Sequence, residues 1–106
     1  MAEHLLVITT LGNEEDAARV AKTLVERRLA ACVNLLGPVR SFYRWEGKLE
    51  DDSERILFMK TRADRFSDLE AAIGEIHPYD VPELIAVPIE QGAAAYLGWV
   101  DENVGK

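Results

Sequence analysis

The spacing of apolar residues changes several times along the chain, and these changes limit the possible folds more than any other sequence feature. An aliphatic run at residues 5–8 has the β-propensity of a buried strand and is followed by a glycine turn signal. Apolar residues at 3.6-residue spacing then predict an amphipathic helix over residues 14–29, formed by Ala17, Val20, Ala21, Leu24, Val25 and Leu29. Asn13 is the expected N-cap, and Arg27 and Arg28 are expected at the negative end of this helix.

A long β-hairpin is predicted after the helix. Apolar residues alternate over residues 31–36, the chain bends at Gly37-Pro38, and the alternation resumes over residues 39–45. Glu46-Gly47 is a turn signal, and the apolar residues 56–61 supply the returning strand. The second and third strands therefore form one hairpin.

The acidic segment at residues 50–54 is expected to interrupt this hairpin, because its charge and poor β-propensity indicate an irregular, solvated stretch. Beyond the hairpin, apolar residues from Phe66 to Ile76 recur at helical spacing. Asp64 is the expected N-cap of this second helix, and Pro78 is expected to stop it.

Two prolines separate the second helix from the last strand. Residues 77–82 predict a stiff loop, and residues 83–89 predict a fourth strand. Pro88 has no N–H to donate, which places this strand at a sheet edge. Residues 93–104 predict a terminal helix with three residues directed inward, Tyr96, Leu97 and Val100.

The order strand, helix, strand, strand, helix, strand, with an appended helix, predicts a ferredoxin-like α+β fold whose helices all cover one face of an antiparallel sheet. The chain of 106 residues is long enough for one apolar core and too short for two, so residues 1–106 are predicted to form a single domain. The bare opposite face, the two sheet edges and a projecting hairpin with Tyr43 and Trp45 predict pairing with neighbouring subunits. The alternative is that these aromatic side chains fold back onto their own core.

Charge and cysteine content exclude several classes of protein. Twelve Lys and Arg against nineteen Asp and Glu give a net charge of -7, which disfavours a nucleic-acid partner. A single cysteine, Cys32, excludes an internal disulfide and every CxxC motif. No apolar run is long enough for a membrane span or a signal peptide, so no membrane partner and a cytoplasmic location are expected.

Sequence blocks along nearly the whole chain resemble the CutA divalent-cation tolerance family. They are Leu29-Ala30-Ala31-Cys32-Val33-Asn34, Ser41-x-Tyr43-x-Trp45-x-Gly47, Lys60-Thr61, His77-Pro78-Tyr79-x-Val81-Pro82-Glu83 and Gly92-x-x-x-Tyr96-Leu97-x-Trp99. The resemblance implies a ferredoxin-like homotrimer similar in architecture to PII signalling proteins, with its sheets turned toward the three-fold axis and clefts between subunits. It also implies a role in tolerance of copper and other divalent metals.

Two candidate metal ligands lie in these blocks. Cys32 is either a soft thiolate ligand or a buried inert thiol among small residues. His77 is either a ligand for copper or zinc, with Glu83 supplying an oxygen or orienting the ring, or a group that binds the last carbonyls of a helix. In some CutA proteins the proposed ligands include a cysteine on the first strand and two adjacent histidines, but this sequence has Thr9 and Ile76 at two of those positions.

A third candidate ligand is His4, near the amino terminus. If the initiator methionine before Ala2 is removed, the free amine, two peptide nitrogens and the His4 imidazole can bind a square-planar Cu(II) or Ni(II) ion. This arrangement requires that the first strand does not hold His4.

The blocks also predict a ligand cleft between subunits. Aromatic rings, a cation and a carboxylate there can hold a small anion or zwitterion, with Lys60 as the counter-charge. The six residues predicted to form this cleft are Tyr43, Trp45, Lys60, His77, Tyr79 and Glu83. Alternatively, the aromatic residues anchor the oligomer, and Lys60 and Glu83 only form an ion pair.

Catalysis is not expected, because no Ser-His-Asp series, HExxH, Walker loop or GxGxxG motif is present. His77 and Glu83 are the remaining acid–base pair, and no nucleophile accompanies them. The prediction is a nonenzymatic homotrimer for metal tolerance, without an organic cofactor, that binds Cu(II), another divalent cation or a small ligand between subunits. The alternative is a PII-like, small-molecule-responsive module that docks onto another protein.

Overall fold

The computed structural model describes residues 2–105 of the chain and has an α+β architecture. Its elements in chain order are β1 (His4–Leu11), α1 (Glu14–Glu26), β2 (Cys32–Trp45), β3 (Lys48–Arg62), a 3₁₀ turn (Ala63–Arg65), α2 (Phe66–Ile76), β4 (Ile85–Ile89) and α3 (Ala94–Asn103). Within the described residues, no helix is long and apolar enough to cross a membrane.

The four strands form one sheet in the order β2-β3-β1-β4, and every neighbouring pair is antiparallel. β4 lies at an edge, as Pro88 predicted, and β2 forms the other edge. β1 pairs with residues 55–62 of β3, so the first half of β3 and its partner residues in β2 extend past β1 as a projecting hairpin.

The core lies between α1, α2 and one face of the sheet, which we call the inner face. Its largest fully buried apolar side chains are Val7, Leu11, Val20, Leu24, Leu57, Met59, Leu69 and Ile73. Thr61 is also buried on the inner face. Its hydroxyl donates a hydrogen bond of 2.7 Å to the Leu29 carbonyl, which satisfies this polar group within the apolar core. The opposite side of the sheet is the outer face.

The first helix begins as predicted and ends earlier than predicted. The Asn13 side chain accepts a 2.8 Å hydrogen bond from the Asp16 amide and caps α1. The helix ends at Glu26, because Arg28 adopts a left-handed backbone conformation with φ of 59°. This turn carries Leu29 into the core, whereas Val25, predicted to face inward, is 41% exposed.

Arg28 stabilises a different helix from the one predicted. Its guanidinium donates to the carbonyls of Glu102 (2.6 Å) and Gly105 (3.1 Å), and its own carbonyl accepts from the Gly105 amide (2.9 Å). The positive charge therefore lies at the C-terminal end of α3.

The prediction of an irregular acidic segment at residues 50–54 is wrong. β3 is continuous, and these residues pair in register with residues 39–43 of β2. Their charge is tolerated because the facing strand supplies partners: Arg40 forms an ion pair with Asp51 at 2.8 Å, and the Tyr43 hydroxyl donates to Asp52 at 2.5 Å. The irregularity lies in β2, where the register shifts between Leu36 and Val39.

The start of α2 also differs from the prediction. Asp64 lies within the 3₁₀ turn and accepts two hydrogen bonds from Arg62, at 2.6 and 3.1 Å. The residue at the N-cap of α2 is Arg65, which makes no side-chain capping hydrogen bond. The competing arginine explains why the aspartate does not cap the helix.

The third helix does not join the other two on the inner face. α3 lies across the end of the sheet where β2 begins, and Val100 and Val104 pack there with Ala31. Tyr96 was predicted to face inward but is 43% exposed. Asp101 accepts a 2.8 Å hydrogen bond from His4 of β1. The prediction that all helices cover one face is therefore wrong, because α3 makes its own small core at the sheet end.

Candidate functional site

A cleft lies between the projecting hairpin and the loop of residues 77–84. It has a volume of 590 Å³ and is lined by Thr10, Ser41, Phe42, Tyr43, Trp45, Glu54, Tyr79, Asp80, Val81 and Glu83. Thr10, Ser41 and Glu54 come from three neighbouring strands. We use "the cleft" for these ten residues.

Both ends of the loop are attached to β1. The His77 ring nitrogen Nε2 donates a 2.8 Å hydrogen bond to the Thr10 carbonyl, and the Thr9 hydroxyl donates a 2.6 Å bond to the Glu83 carbonyl. The Thr9 side chain is fully buried on the inner face, so its hydroxyl contacts the loop from that side of the sheet. These two contacts hold the loop against the strand that forms the base of the cleft.

His77 lies behind the cleft and uses both ring nitrogens. Nε2 faces a carbonyl and must carry the proton, while Nδ1 accepts from the Tyr79 amide at 3.2 Å. The side chain is 7% exposed, and burial lowers the pKa of His77, so the ring is neutral. A metal ion at either nitrogen, or a second proton at Nδ1, would have to displace one of these backbone hydrogen bonds.

Tyr79 connects the loop to the hairpin. Its hydroxyl donates a 2.8 Å hydrogen bond to Oε2 of Glu54, a residue that is 7% exposed. Burial and this bond to a carboxylate raise the pKa of Tyr79 well above its usual range. Gly12 leaves space for the approach, because a Cβ atom there would lie 3.2 Å from the Tyr79 hydroxyl oxygen.

The charged groups of the cleft are acidic. Partial burial and the nearby Glu54 raise the pKa of Glu83, which indicates that the two carboxyls repel each other. The hydrogen bond to Asp52 raises the pKa of Tyr43 to about 12, so this hydroxyl also remains protonated. Of the ten described residues that line the cleft, none is Lys or Arg. This electrostatic environment favours a cation over an anion.

The structure brings together four of the six residues predicted to form a ligand cleft, namely Tyr43, Trp45, Tyr79 and Glu83. His77 supports the cleft from behind without lining it. Lys60 lies on β3 six residues beyond Glu54, roughly 20 Å away along the strand. Lys60 therefore does not reach the cleft of its own chain, and its role as a counter-charge in a cleft between subunits stays a prediction.

The predicted metal ligands are also spread over the sheet. The Cys32 thiol lies 4.0 Å from the Lys60 ammonium group, which also donates to Asn34. His4 belongs to β1 and contacts Asp101, so the strand and α3 hold the imidazole needed for an amino-terminal copper site. Within residues 2–105, no three His, Cys, Asp or Glu side chains form a group that could hold a metal ion.

These side chains define a second region of the outer face, which we call the capped end, because α3 covers it. It consists of His4, Cys32, Asn34 and Lys60 with Tyr96 and Asp101 of α3. Burial and the neighbouring Cys32 raise the pKa of Tyr96. The polar groups of the capped end thus bind one another.

Glu54 is the main cleft residue that sequence reasoning missed. The alternation of side chains between the two faces of the hairpin could have indicated the position of Glu54. Ser41, Tyr43 and Trp45 share one strand face, and the observed pairs Tyr43–Glu50, Ser41–Asp52 and Val39–Glu54 put the three acids on that same face. A regular ladder through residues 50–54 would have predicted an acidic, aromatic surface.

The fold and the cleft describe a small α+β protein with an acidic cleft, and comparison with known proteins assigns it to a family. Residues 5–103 match the family model described as CutA1 divalent ion tolerance protein. The chain belongs to this CutA1 family, as its sequence blocks predicted. The family is named for ion tolerance and not for a reaction.

Individual relatives support this assignment. The divalent-cation tolerance protein CutA of Thermus thermophilus is 45% identical over 100 residues, which cover 94% of this chain and 97% of the relative. The protein CutA homolog of Xenopus laevis is 47% identical over 95 residues, which cover 90% of this chain and 63% of the relative. The crystal structure of CutA1 from Oryza sativa has a TM-score of 0.95 and 37% identity, with 99% of this chain and 96% of that chain covered.

Proposed function

We propose that this protein acts in divalent-cation tolerance by binding the cation in the cleft, as a homotrimer of ferredoxin-like subunits in which a neighbouring copy completes each site. The observation that carries the proposal is the pair of carboxyls, Glu54 and Glu83, in a cleft with no lysine or arginine in its lining. A divalent cation between them removes their mutual repulsion, which a neutral ligand does not do.

The donor atoms of the cleft support a cation bound through oxygen. Carboxylates are good ligands for divalent ions, and Cu(II) binds a given set of donors more tightly than the other common divalent metals. Copper is therefore the first cation to test. Tyr79 fixes one oxygen of Glu54 by its hydrogen bond, which orients the carboxylate before a cation arrives.

A neighbouring copy is included because the three carboxyls that one chain brings to the cleft, those of Glu54, Asp80 and Glu83, do not form a group that could hold a metal ion within residues 2–105. The hairpin beside the cleft exposes Phe42, Trp45 and Leu49, and the outer face exposes Ile85 and Val87. Apolar side chains at these positions, next to two open sheet edges, support pairing with another copy of the chain. The family resemblance implies that the number of copies is three.

Native mass spectrometry and isothermal titration calorimetry with Cu²⁺, Zn²⁺ and Mn²⁺ test the proposal. We expect a trimer that binds at least one of these ions, and a tenfold or larger loss of affinity in Glu83→Gln. The matched control is Glu90→Gln, which removes an exposed carboxylate outside the cleft. A native protein that binds none of the three ions would contradict the proposal, as would equal affinity in the two variants.

A further inference from the structure

We infer that His77 is a positioning residue of the cleft: its neutral ring, bonded through both nitrogens, holds the loop so that the Tyr79 hydroxyl donates to Glu54. The cation affinity assigned to this arrangement rests on the proposed function. The positioning itself rests on contacts within the chain. The role differs from that of a metal ligand, because His77 acts through Tyr79.

The first step is the tautomer of the ring. The Thr10 carbonyl can only accept a hydrogen bond, and the Tyr79 amide can only donate one. The ring between them must therefore donate through Nε2 and accept through Nδ1. A neutral histidine meets both demands, because one ring nitrogen carries a proton and the other carries an acceptor lone pair.

The second step links the ring to the tyrosine side chain. The Tyr79 amide is fixed by Nδ1, and the two rings pack with centroids 4.8 Å apart at an interplanar angle of 58°. These two contacts restrict both the backbone and the side chain of Tyr79. The hydroxyl then reaches Glu54 through the space beside Gly12.

The third step concerns the state of His77. Burial lowers the pKa of this group, so the ring keeps its free Nδ1 lone pair near neutral pH. Protonation would convert Nδ1 from an acceptor to a donor facing the Tyr79 amide. A buried neutral histidine is therefore suited to a fixed structural bond and poorly suited to releasing a lone pair to a metal.

Two variants separate positioning from ligation. In His77→Gln the side-chain amide can still donate near the Thr10 carbonyl, but no ring nitrogen accepts from Tyr79. Tyr79→Phe removes the hydroxyl that binds Glu54. If His77 acts through Tyr79, each variant weakens Zn²⁺ binding about tenfold, and the double variant binds as each single variant does, since both remove the same interaction. A direct zinc ligand would give losses that multiply.

Nuclear magnetic resonance of the metal-free protein tests the positioning independently of any cation. We expect the ¹⁵N shifts of His77 to show the Nε2–H tautomer, and hydrogen exchange of the Tyr79 amide to accelerate at least tenfold in His77→Gln. His4→Gln, which changes the other histidine of the chain, is the control and should leave this amide protected.

The outcomes distinguish the two proposals. An Nδ1–H tautomer, or unchanged exchange of Tyr79 in His77→Gln, overturns the positioning role. Loss of protection of the Tyr79 amide together with a shift of the His77 Nδ1 resonance on addition of Zn²⁺ also overturns it, because a metal ion at Nδ1 must displace the bond from this amide. Failure of the wild type to bind Zn²⁺, Cu²⁺ and Mn²⁺ overturns the proposed function, and the metal-free measurements still decide the role of His77.

Discussion

The cleft and the capped end lie on the same sheet face and contain similar polar side chains, but they use them differently. At the capped end, Lys60 and His4 bind Asn34 and Asp101, and α3 covers the group. In the cleft, the carboxyls of Glu54 and Glu83 lack a cationic partner in the lining. The two regions thus differ in whether a neighbouring element supplies a partner of complementary charge or polarity: α3 and β2 do so at the capped end, and the lining of the cleft contains no lysine or arginine.

A substitution at Gly37, where the register of β2 shifts between the capped end and the cleft, should have the largest effect. Gly37 has φ of +138°, and a Cβ atom there would lie 2.8 Å from Cδ of Arg55 and 3.1 Å from the Glu54 carbonyl. We expect Gly37→Ala to lower the free energy of unfolding by about 2 kcal/mol and to weaken cation binding, because Glu54 must move. Urea denaturation and calorimetry measure these two quantities.

The control for this substitution is Gly74→Ala. Gly74 lies in α2 with no atom near the position of a Cβ, so this variant should gain up to about 1 kcal/mol from helix propensity. Amide shifts in Gly37→Ala should change near Tyr79 and stay constant near Cys32. Equal changes at both places would show that the two regions respond as one unit.

The second largest effect is expected in the pH dependence of cation affinity, which should depend on the cleft and not on the capped end. The raised pKa of Glu83 means that its carboxylate takes up a proton at a higher pH than an ordinary glutamate. Below this pKa a cation must displace the proton, so affinity should fall by up to about tenfold per pH unit, which is about 1.4 kcal/mol. Calorimetry between pH 4 and pH 7 measures the slope.

Two variants assign this slope to the cleft. Glu83→Gln should flatten the profile, because it removes the titrating group. Lys60→Gln, at the capped end, should leave the profile as it is in the wild type. A profile changed by the lysine variant alone would contradict the assignment of the site to the cleft.

The smallest effect is expected at the capped end itself. Asp101→Asn weakens the contact with His4, which is partly exposed to solvent, and should lower the free energy of unfolding by about 0.5 kcal/mol. Cation affinity should not change. A loss of cation affinity in Asp101→Asn would contradict the assignment of cation binding to the cleft alone, because Asp101 does not line the cleft.

Much of the fold could be predicted from local sequence signals. Asn13 caps α1, the turn at Glu46-Gly47 joins the hairpin, and Pro88 lies in an edge strand, because each signal acts within a few residues. The end of α1 could not be predicted this way. The left-handed conformation of Arg28 depends on contacts with residues 102–105, which are distant in the sequence.

The cleft was predicted in part for a similar reason. Tyr43, Tyr79 and Glu83 were found from their types and motifs, and the sheet brings them together. Lys60 lies on the same sheet face but away from the cleft of its own chain, because alternation identifies the face of a strand but not the distance along it. Glu54 was missed because the charge of its segment was judged without its partners in β2, Arg40 and Tyr43.

The turn after α1 has a consequence for the opposite terminus. Glycine suits the backbone of position 28 better than arginine does, yet only a long cationic side chain can hold the carbonyls of Glu102 and Gly105. An Arg28→Gly exchange would therefore relax the backbone at this turn and remove the two guanidinium hydrogen bonds to the C-terminal end of α3, while the bond from the Gly105 amide to the carbonyl of residue 28 would remain. At this position, therefore, a less strained backbone and a stronger attachment of residues 102–105 oppose each other.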